Sequence, residues 1–218
     1  MNIKLNFTGY NDMHNYADVT RWAKIMARYE IYKMIIDIPG DIFECGVFKG
    51  TGLFFWARMK QLFNPISHRK IVGFDTFENF EGFKSGETKK VSQMDIQRGN
   101  TNWYKEIIKI AKVNGTSDII ELVKGDVSKT SFRYIEKNLG ARIALLHLDL
   151  DIYRPTLDAL NAFYDYIVPG GVVLLDEYSC REWGESDAID EFLKSKNINV
   201  DIKSFPWTMS PTAFFIKN

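Results

Sequence analysis

Residues 143–151, IALLHLDLD, constrain the fold of this chain more than any other stretch of its sequence. A continuous apolar run of this length predicts a strand that is buried on both faces of a parallel sheet. The run ends in Asp149 and Asp151, and a second acidic pair, Asp176 and Glu177, follows the apolar run at 172–175. Ligands in open α/β sheets bind beyond the carboxyl ends of the strands. We therefore predict that these four acids form one site.

The order of the apolar runs extends this prediction to the whole chain. Five β-α alternations are followed by two strands with no long helix between them. This order predicts a doubly wound, mostly parallel, seven-stranded Rossmann-like sheet with a C-terminal antiparallel hairpin. An extra N-terminal helix is expected from Asp18, its cap, to residue 36. Residues 1–15 have no clear period and are expected to be an arm, and the long polar segment 79–102 is expected to be a lid.

Length and composition exclude several classes of protein. A chain of 218 residues predicts a single domain. The formal net charge of zero gives no excess that would favour nucleic acid or a membrane surface. The two cysteines form neither a disulfide framework nor a zinc signature. No signal peptide or membrane span is expected from the hydropathy, so we predict a cytoplasmic protein.

The first βα unit contains the sequence DIFECGVFKGTG, in which Glu44, Gly46 and Gly50 surround a predicted turn. The spacing fits neither the dinucleotide-binding pattern nor the Walker A pattern, so the glycines alone are a weak signal. Asp75 ends the second predicted strand, where an acid can accept hydrogen bonds from both ribose hydroxyls. The alternative for Asp75 is a turn or helix cap.

Five longer motifs, in a fixed order, carry a family resemblance. They are PGDIFECGVFKG, GFDTFENF, LLHLDLDIYRPTLDAL, VPGGVVLLDEY and WGESDAIDEF. Together they resemble the macrocin O-methyltransferase family over roughly residues 20–215. The resemblance implies a class I methyltransferase fold, S-adenosylmethionine as the methyl donor, a divalent metal, and a sugar hydroxyl as the acceptor.

The resemblance also implies a role for each of the four acids. Asp149, Asp176 and Glu177 would hold Mg²⁺ or another divalent cation, for which clustered carboxylates are suitable ligands. Asp151 would be the general base for an acceptor hydroxyl whose pKa the cation lowers. Many members of the family have Asp where this chain has Glu177. The spacing of Asp149 and Asp151 would put both on one strand face if the strand continued through Asp151.

The donor would contact residues at the ends of the first three strands. Gly46 and Gly50 would let the backbone approach its methionine part. Glu44 would anchor this loop or bind the amino group, and Asp75 would bind the ribose. Asp126 would contact the adenine, or else be a solvated acid in a turn.

His147 and the pair Lys89 and Lys90 have two interpretations each, and three other residues have one. His147 would contact the cofactor, or else be a hydrogen-bonded core residue. Phe205 and Trp207 are expected in the core, and Cys45 is expected to be a small buried apolar residue. Lys89 and its neighbour would be a solvated loop face, or would contact a phosphate on the acceptor.

Three functions are therefore considered. The leading prediction is metal-dependent methylation of a small-molecule or nucleotide-linked sugar, or of a sugar in a glycan or natural product. The second changes the acceptor to a phenol or catechol, and the third is a non-catalytic nucleotide-binding module. No nucleic-acid partner is expected, and the N-terminal arm and helix offer a surface for a homo-oligomer.

Overall fold

A computed structural model describes residues 7–78 and 99–218. Most of the predicted lid, together with Lys89 and its neighbour, lies outside these residues. Seven strands form one sheet in the order β3-β2-β1-β4-β5-β7-β6. The bounds are β1 Asp41–Cys45, β2 Ile71–Asp75, β3 Ile120–Lys124, β4 Ile143–Leu148, β5 Ile167–Leu175, β6 Lys203–Ser204 and β7 Ala213–Ile216. The predicted α/β fold is confirmed.

The first five strands are parallel, and the last two form the antiparallel edge. β1 pairs with β2 and with β4, and β4 pairs with β5, all in parallel register. β7 runs antiparallel to β5, and β6 runs antiparallel to β7. All six residues of β4 are buried, which is expected of a central strand covered by helices on both faces.

Seven α-helices surround the sheet in the part of the chain that the structure describes. Their bounds are α1 Phe7–Tyr16, α2 Val19–Met34, α3 Thr51–Phe63, α4 Trp103–Asn114, α5 Val127–Lys137, α6 Tyr153–Phe163 and α7 Glu185–Ser195, with a 3₁₀ turn at Tyr164–Tyr166. Asp18 caps α2 as predicted, since its side chain accepts a hydrogen bond of 2.8 Å from the Thr20 amide. The helix α1 was not predicted, because its polar and aromatic residues form no apolar stripe.

The core has one layer on each face of the sheet, because neighbouring residues of a strand point to opposite faces. On one face Phe43 and Cys45 pack with α6 and α7 residues. On the other face Ile42 packs with Trp56 of α3 and Ile31 of α2. Cys45 is fully buried, as predicted.

One strand is longer than its apolar run, and one local prediction was wrong. β5 begins at Ile167, before the apolar run at 172–175, so Pro169 lies inside the strand. Trp207 is 50% exposed and is not a core residue. Its ring packs at 5.4 Å from that of Phe205, which in turn stacks on Phe214 at 5.1 Å.

Candidate active site

Backbone hydrogen bonds across three neighbouring strands bring two of the predicted acids to one sheet edge. The Asp149 amide donates to the carbonyl of Cys45 at 2.8 Å, and the Asp176 amide donates to the carbonyl of Leu148 at 3.0 Å. The carboxyl ends of β1, β4 and β5 therefore lie side by side at one edge of the sheet. All four predicted acids, Asp149, Asp151, Asp176 and Glu177, line one cavity of about 530 Å³.

Asp151 reaches this cavity through a turn and not through strand alternation. β4 ends at Leu148, and Asp151 has a left-handed backbone with φ of 65°. The Ile152 amide donates to the carbonyl of Leu150 at 2.7 Å, which closes a tight turn around Asp151. The strand does not continue through Asp151, so strand alternation does not place the two acids on one face. The side chain of Asp151 is nevertheless buried beside the other acids.

Two cations from α2 face these acids, and neither was predicted from the sequence. Lys24 Nζ lies 2.7 Å from Asp176 Oδ2 and 3.7 Å from Asp149 Oδ2. Arg28 Nη2 lies 3.7 Å from Asp149 Oδ2. Residues four apart share a helix face, and Arg28 is buried beside the apolar Ile31. A cation inside the apolar stripe of a helix is the sequence signal that could have identified them.

The surroundings shift the pKa values of Asp149 and Asp176 in opposite directions. Burial opposes ionisation of Asp176, but Lys24 and a hydrogen bond from His147 outweigh it and hold its pKa well below its usual range. Burial and the charge of Asp176 raise the pKa of Asp149. Asp176 is thus the acid of this pair that is most firmly ionised.

Asp151 and Glu177, the remaining acids of the cluster, both have raised pKa values. Burial, followed by the charges of Asp149, Glu177 and Asp176, raises the pKa of Asp151 well above its usual range. Burial, followed by the charges of Asp176 and Asp149, raises the pKa of Glu177 to about 7. A carboxylate with a raised pKa is a stronger base near neutral pH.

His147 is completely buried beneath the acids. Its Nε2 lies 3.4 Å from Asp176 Oδ1, and its ring packs edge-on against Trp56 at 5.8 Å. Burial lowers the pKa of His147, so the neutral ring can donate to the ionised Asp176. His147 is absent from the residues that line the cavity, which favours the hydrogen-bonded core interpretation.

The glycine turn packs directly on the end of β4. Gly46 has φ of 95°, and a Cβ at this position would overlap the carbonyl oxygen of Asp149. Gly50 has φ of 87° at the start of α3. Only glycine adopts such conformations at little cost, so both residues are required by the fold of the turn.

Asp75 holds this turn in place. Its Oδ2 accepts hydrogen bonds from the amides of Val47 at 2.9 Å and Phe48 at 2.8 Å, and its Oδ1 accepts one from Phe77 at 2.7 Å. Both carboxylate oxygens of Asp75 therefore accept hydrogen bonds from backbone amides. Asp75 also lines the cavity. Its ribose contact stays a prediction.

Glu44 and Asp126 also line this cavity. Glu44 is 1% exposed, and burial raises its pKa to about 8. A Cβ at position 52 would overlap its carboxylate, so Gly52 makes room for it. Asp126 caps α5 by accepting a hydrogen bond of 2.9 Å from Ser128. Contacts of these two acids with a cofactor stay predictions.

A second cavity of about 910 Å³ adjoins the first. Both are lined by Arg21, Lys24, Glu177 and Trp183. Tyr153 and Glu185 line neither of these two cavities. The hydroxyl of Tyr153 donates a hydrogen bond to the carboxylate of Glu191. Glu185 is fully buried and accepts a hydrogen bond of 3.0 Å from the Glu177 amide.

Two of the acids and the buried His147 form a group that could hold a divalent cation. His147, Asp149 and Asp176 each offer a ligand atom, and these atoms lie within 4.8 Å of one another. The Glu177 carboxylate is outside this group, although it lines the same cavity. Oxygen and imidazole ligands fit a divalent cation, and Lys24 supplies positive charge at the same carboxylates.

Residues 29–214 match the model of the family described as Macrocin-O-methyltransferase (TylF). The chain belongs to this family. The matched residues include all four acids of the candidate active site. None of the described helices has the length and hydropathy needed to cross a membrane.

Two curated relatives in this family are similar to the chain. One is mycinamicin III 3''-O-methyltransferase from Micromonospora griseorubida, 23% identical over 76% of this chain and 65% of the relative. The other is a Streptomyces olivaceus 4'-O-methyltransferase named for a dimethoxy-rhamnosyl tetracenomycin, 26% identical over 71% of this chain and 63% of the relative. The chain spans less than two thirds of the length of either relative.

Solved structures share the fold. CalS11, described as a TDP-rhamnose 3'-O-methyltransferase of calicheamicin biosynthesis, superposes with a TM-score of 0.72 at 25% identity, covering 98% of this chain and 87% of that one. The O-methyltransferase NovP superposes with a TM-score of 0.71 at 18% identity, covering 92% of this chain and 80% of NovP. The Rossmann-like methyltransferase architecture is therefore shared.

Proposed function

We propose that this protein transfers a methyl group from S-adenosylmethionine to a hydroxyl of a sugar. The observation that carries the proposal is the shared cavity, in which the glycine turn at Gly46 lies beside the carboxylates of Asp149, Asp151 and Asp176. A donor bound at the turn would have its sulfonium close to these acids. Two of the similar proteins have rhamnose or rhamnosyl in their names, which supports a sugar acceptor over a phenol or catechol.

The two cavities suggest how donor and acceptor meet. The donor would occupy the cavity at the glycine turn, and the acceptor would enter through the second cavity. Trp183 and Glu177 line both, so the acceptor hydroxyl would meet the methyl group there. Transfer forms the oxygen–carbon bond as the sulfur–carbon bond breaks, and S-adenosylhomocysteine leaves. Holding both reactants in line supplies much of the catalysis.

Asp151 is the proposed general base. Its raised pKa suits a group that takes the proton of the acceptor hydroxyl near neutral pH. The turn around Asp151 fixes the backbone and limits the directions in which its short side chain can reach. The Asp151→Asn variant keeps the shape of the side chain but cannot accept this proton.

Asp149, Asp176 and Glu177 are the proposed metal ligands, and His147 would orient Asp176 through its hydrogen bond. A divalent cation held by these residues would lower the pKa of the acceptor hydroxyl. The raised pKa of Glu177 means that this acid would lose a proton when it binds a cation. Lys24, which contacts two of these acids, would have to move away from them.

Calorimetric titration with S-adenosylhomocysteine tests the donor, and folded protein that does not bind it would refute the proposal. Transfer of a labelled methyl group to a panel of nucleotide sugars, free sugars and catechols tests the acceptor. Turnover of catechols alone would replace the sugar with a phenolic acceptor. Binding of the donor with no turnover of any acceptor would favour the non-catalytic module.

The metal and the base have separate tests. Activity should be lost after treatment with a chelator and restored by Mg²⁺, and activity that survives the chelator would remove the metal from the proposal. Asp151→Asn should lower kcat by at least about 100-fold with donor affinity unchanged. Glu177→Gln should weaken Mg²⁺ binding in a calorimetric titration, and unchanged affinity would exclude Glu177 as a ligand.

A further inference from the structure

Two ionisable side chains in the first cavity, one basic and one acidic, each have a buried polar atom without a partner. Arg28 is 5% exposed and Glu44 is 1% exposed. Arg28 Nε and Glu44 Oε2 are buried and have no hydrogen-bond partner among the described residues. Both residues line the cavity beside Gly46. A buried polar group costs free energy unless it is paired, so these two atoms indicate a ligand that offers an acceptor to Arg28 and a cation that would favour the ionised form of Glu44.

We propose that Arg28 binds the α-carboxylate of the methyl donor, beside Glu44, for which the family resemblance already implies a contact with the α-ammonium. The inference rests on the proposed function, which makes S-adenosylmethionine the occupant of this cavity. An amino acid carries its carboxylate and its ammonium on one carbon, so a guanidinium and a carboxylate facing the same space are complementary to it. Arg28 lies on α2, before β1, so the extra N-terminal helix would complete the donor site.

The contacts of Arg28 within the protein leave its Nε able to bind the carboxylate of the donor. Its ion pair with Asp149 is long, at 3.7 Å, and uses Nη2, so Nε stays available for a second acid. A guanidinium can hold a carboxylate through two parallel N–H donors. Burial raises the pKa of Glu44 to about 8, and the positive charge of Arg28 opposes that shift. Arg28 and Glu44 therefore interact electrostatically within the cavity that both side chains line.

The experiment compares three ligands by calorimetric titration. S-adenosylhomocysteine has both charged groups, its decarboxylated analogue keeps only the ammonium, and 5′-methylthioadenosine lacks the whole amino acid. Wild-type protein should bind the decarboxylated analogue roughly 10- to 100-fold more weakly than S-adenosylhomocysteine, as expected for a lost charged hydrogen bond. Arg28→Met should bind both of these ligands with equal, weak affinity and should bind 5′-methylthioadenosine within about twofold of wild type.

Arg58→Met is the matched control, because Arg58 lies on the outside of α3 and bonds Gln61. It should bind all three ligands as wild type does. An Arg28→Met variant that still prefers S-adenosylhomocysteine over the decarboxylated analogue would overturn the inference. So would an equal loss of affinity for all three ligands, which would indicate a general structural defect.

Two further measurements keep the inference testable if Arg28→Met does not fold. Arg28→Lys keeps the charge but not the planar fork, so it should recover part of the preference for the carboxylate. Wild-type protein that binds S-adenosylhomocysteine and the decarboxylated analogue equally would overturn the assignment of Arg28 and leave the proposed function standing. Wild-type protein that binds none of the three ligands would refute the proposed function itself.

Discussion

Lys24 Nζ lies 2.7 Å from Asp176 Oδ2, across 152 positions of the chain. The same ammonium lies 3.7 Å from Asp149 Oδ2 and 2.9 Å from Ser210 Oγ. Lys24 therefore joins the N-terminal helix α2 to the ends of β4 and β5. Its positive charge balances carboxylates that would otherwise repel each other in a buried site.

Replacing Lys24 with Met should make the stability of the protein depend on a divalent cation. Without metal, the variant should lose roughly 2–3 kcal/mol, because a largely buried charge loses its partner. Mg²⁺ should then raise the melting temperature of Lys24→Met more than that of wild type. Thermal unfolding with chelator and with Mg²⁺ measures both effects. The control is Lys33→Met on the exposed face of α2, and equal Mg²⁺ shifts in all three proteins would contradict the prediction.

Gly46→Ala should disrupt the site by steric overlap. A Cβ there would strike the Asp149 carbonyl, and the positive φ adds strain for any other residue. We expect a loss of more than about 3 kcal/mol in a urea denaturation experiment. Gly140→Ala is the matched control, since nothing lies within 4 Å of a Cβ at that position. Equal stability of the two variants would show that the turn can move away from β4.

Asp75→Ala should loosen the glycine turn even without a ligand. The change leaves the amides of Val47 and Phe48 without their acceptor, at a cost of roughly 2–4 kcal/mol. Hydrogen exchange at these two amides should become faster, while exchange at the Thr116 amide, which is bonded to Ala111, should not. If the variant bound the donor more weakly while hydrogen exchange at these two amides stayed unchanged, Asp75 would instead act only by binding the ribose.

Glu44→Gln should change how stability depends on pH. Burial raises the pKa of Glu44 from its ordinary value of 4.5 to about 8, so the folded state holds an extra proton between these values. Stability therefore falls as pH rises through this window, by up to about 1.4 kcal/mol per pH unit from this group. Gln cannot ionise, so the variant should lose this component. Urea denaturation between pH 5 and pH 8 measures it, and parallel curves for the two proteins would contradict the prediction.

The strand order and the acidic edge could be predicted because their signals are local. The apolar run of β4 and the acids after it lie within nine residues, and parallel strands bring such ends together. The turn that places Asp151 could not be predicted, since its left-handed φ has no glycine to indicate it. Lys24 and Arg28 were missed because their partners are distant in sequence, and only the packing of α2 against the sheet brings them together.

The position of α2 has a consequence for where the functional unit begins. The family match starts at residue 29, and the sheet starts at Asp41, yet Lys24 bonds Asp176 in the middle of the site. A boundary drawn at the start of the match would keep every strand and remove the ammonium that balances the acids. A fragment that keeps the charge balance of this site must therefore extend upstream of the shared region, to include the whole of α2 and its cap at Asp18.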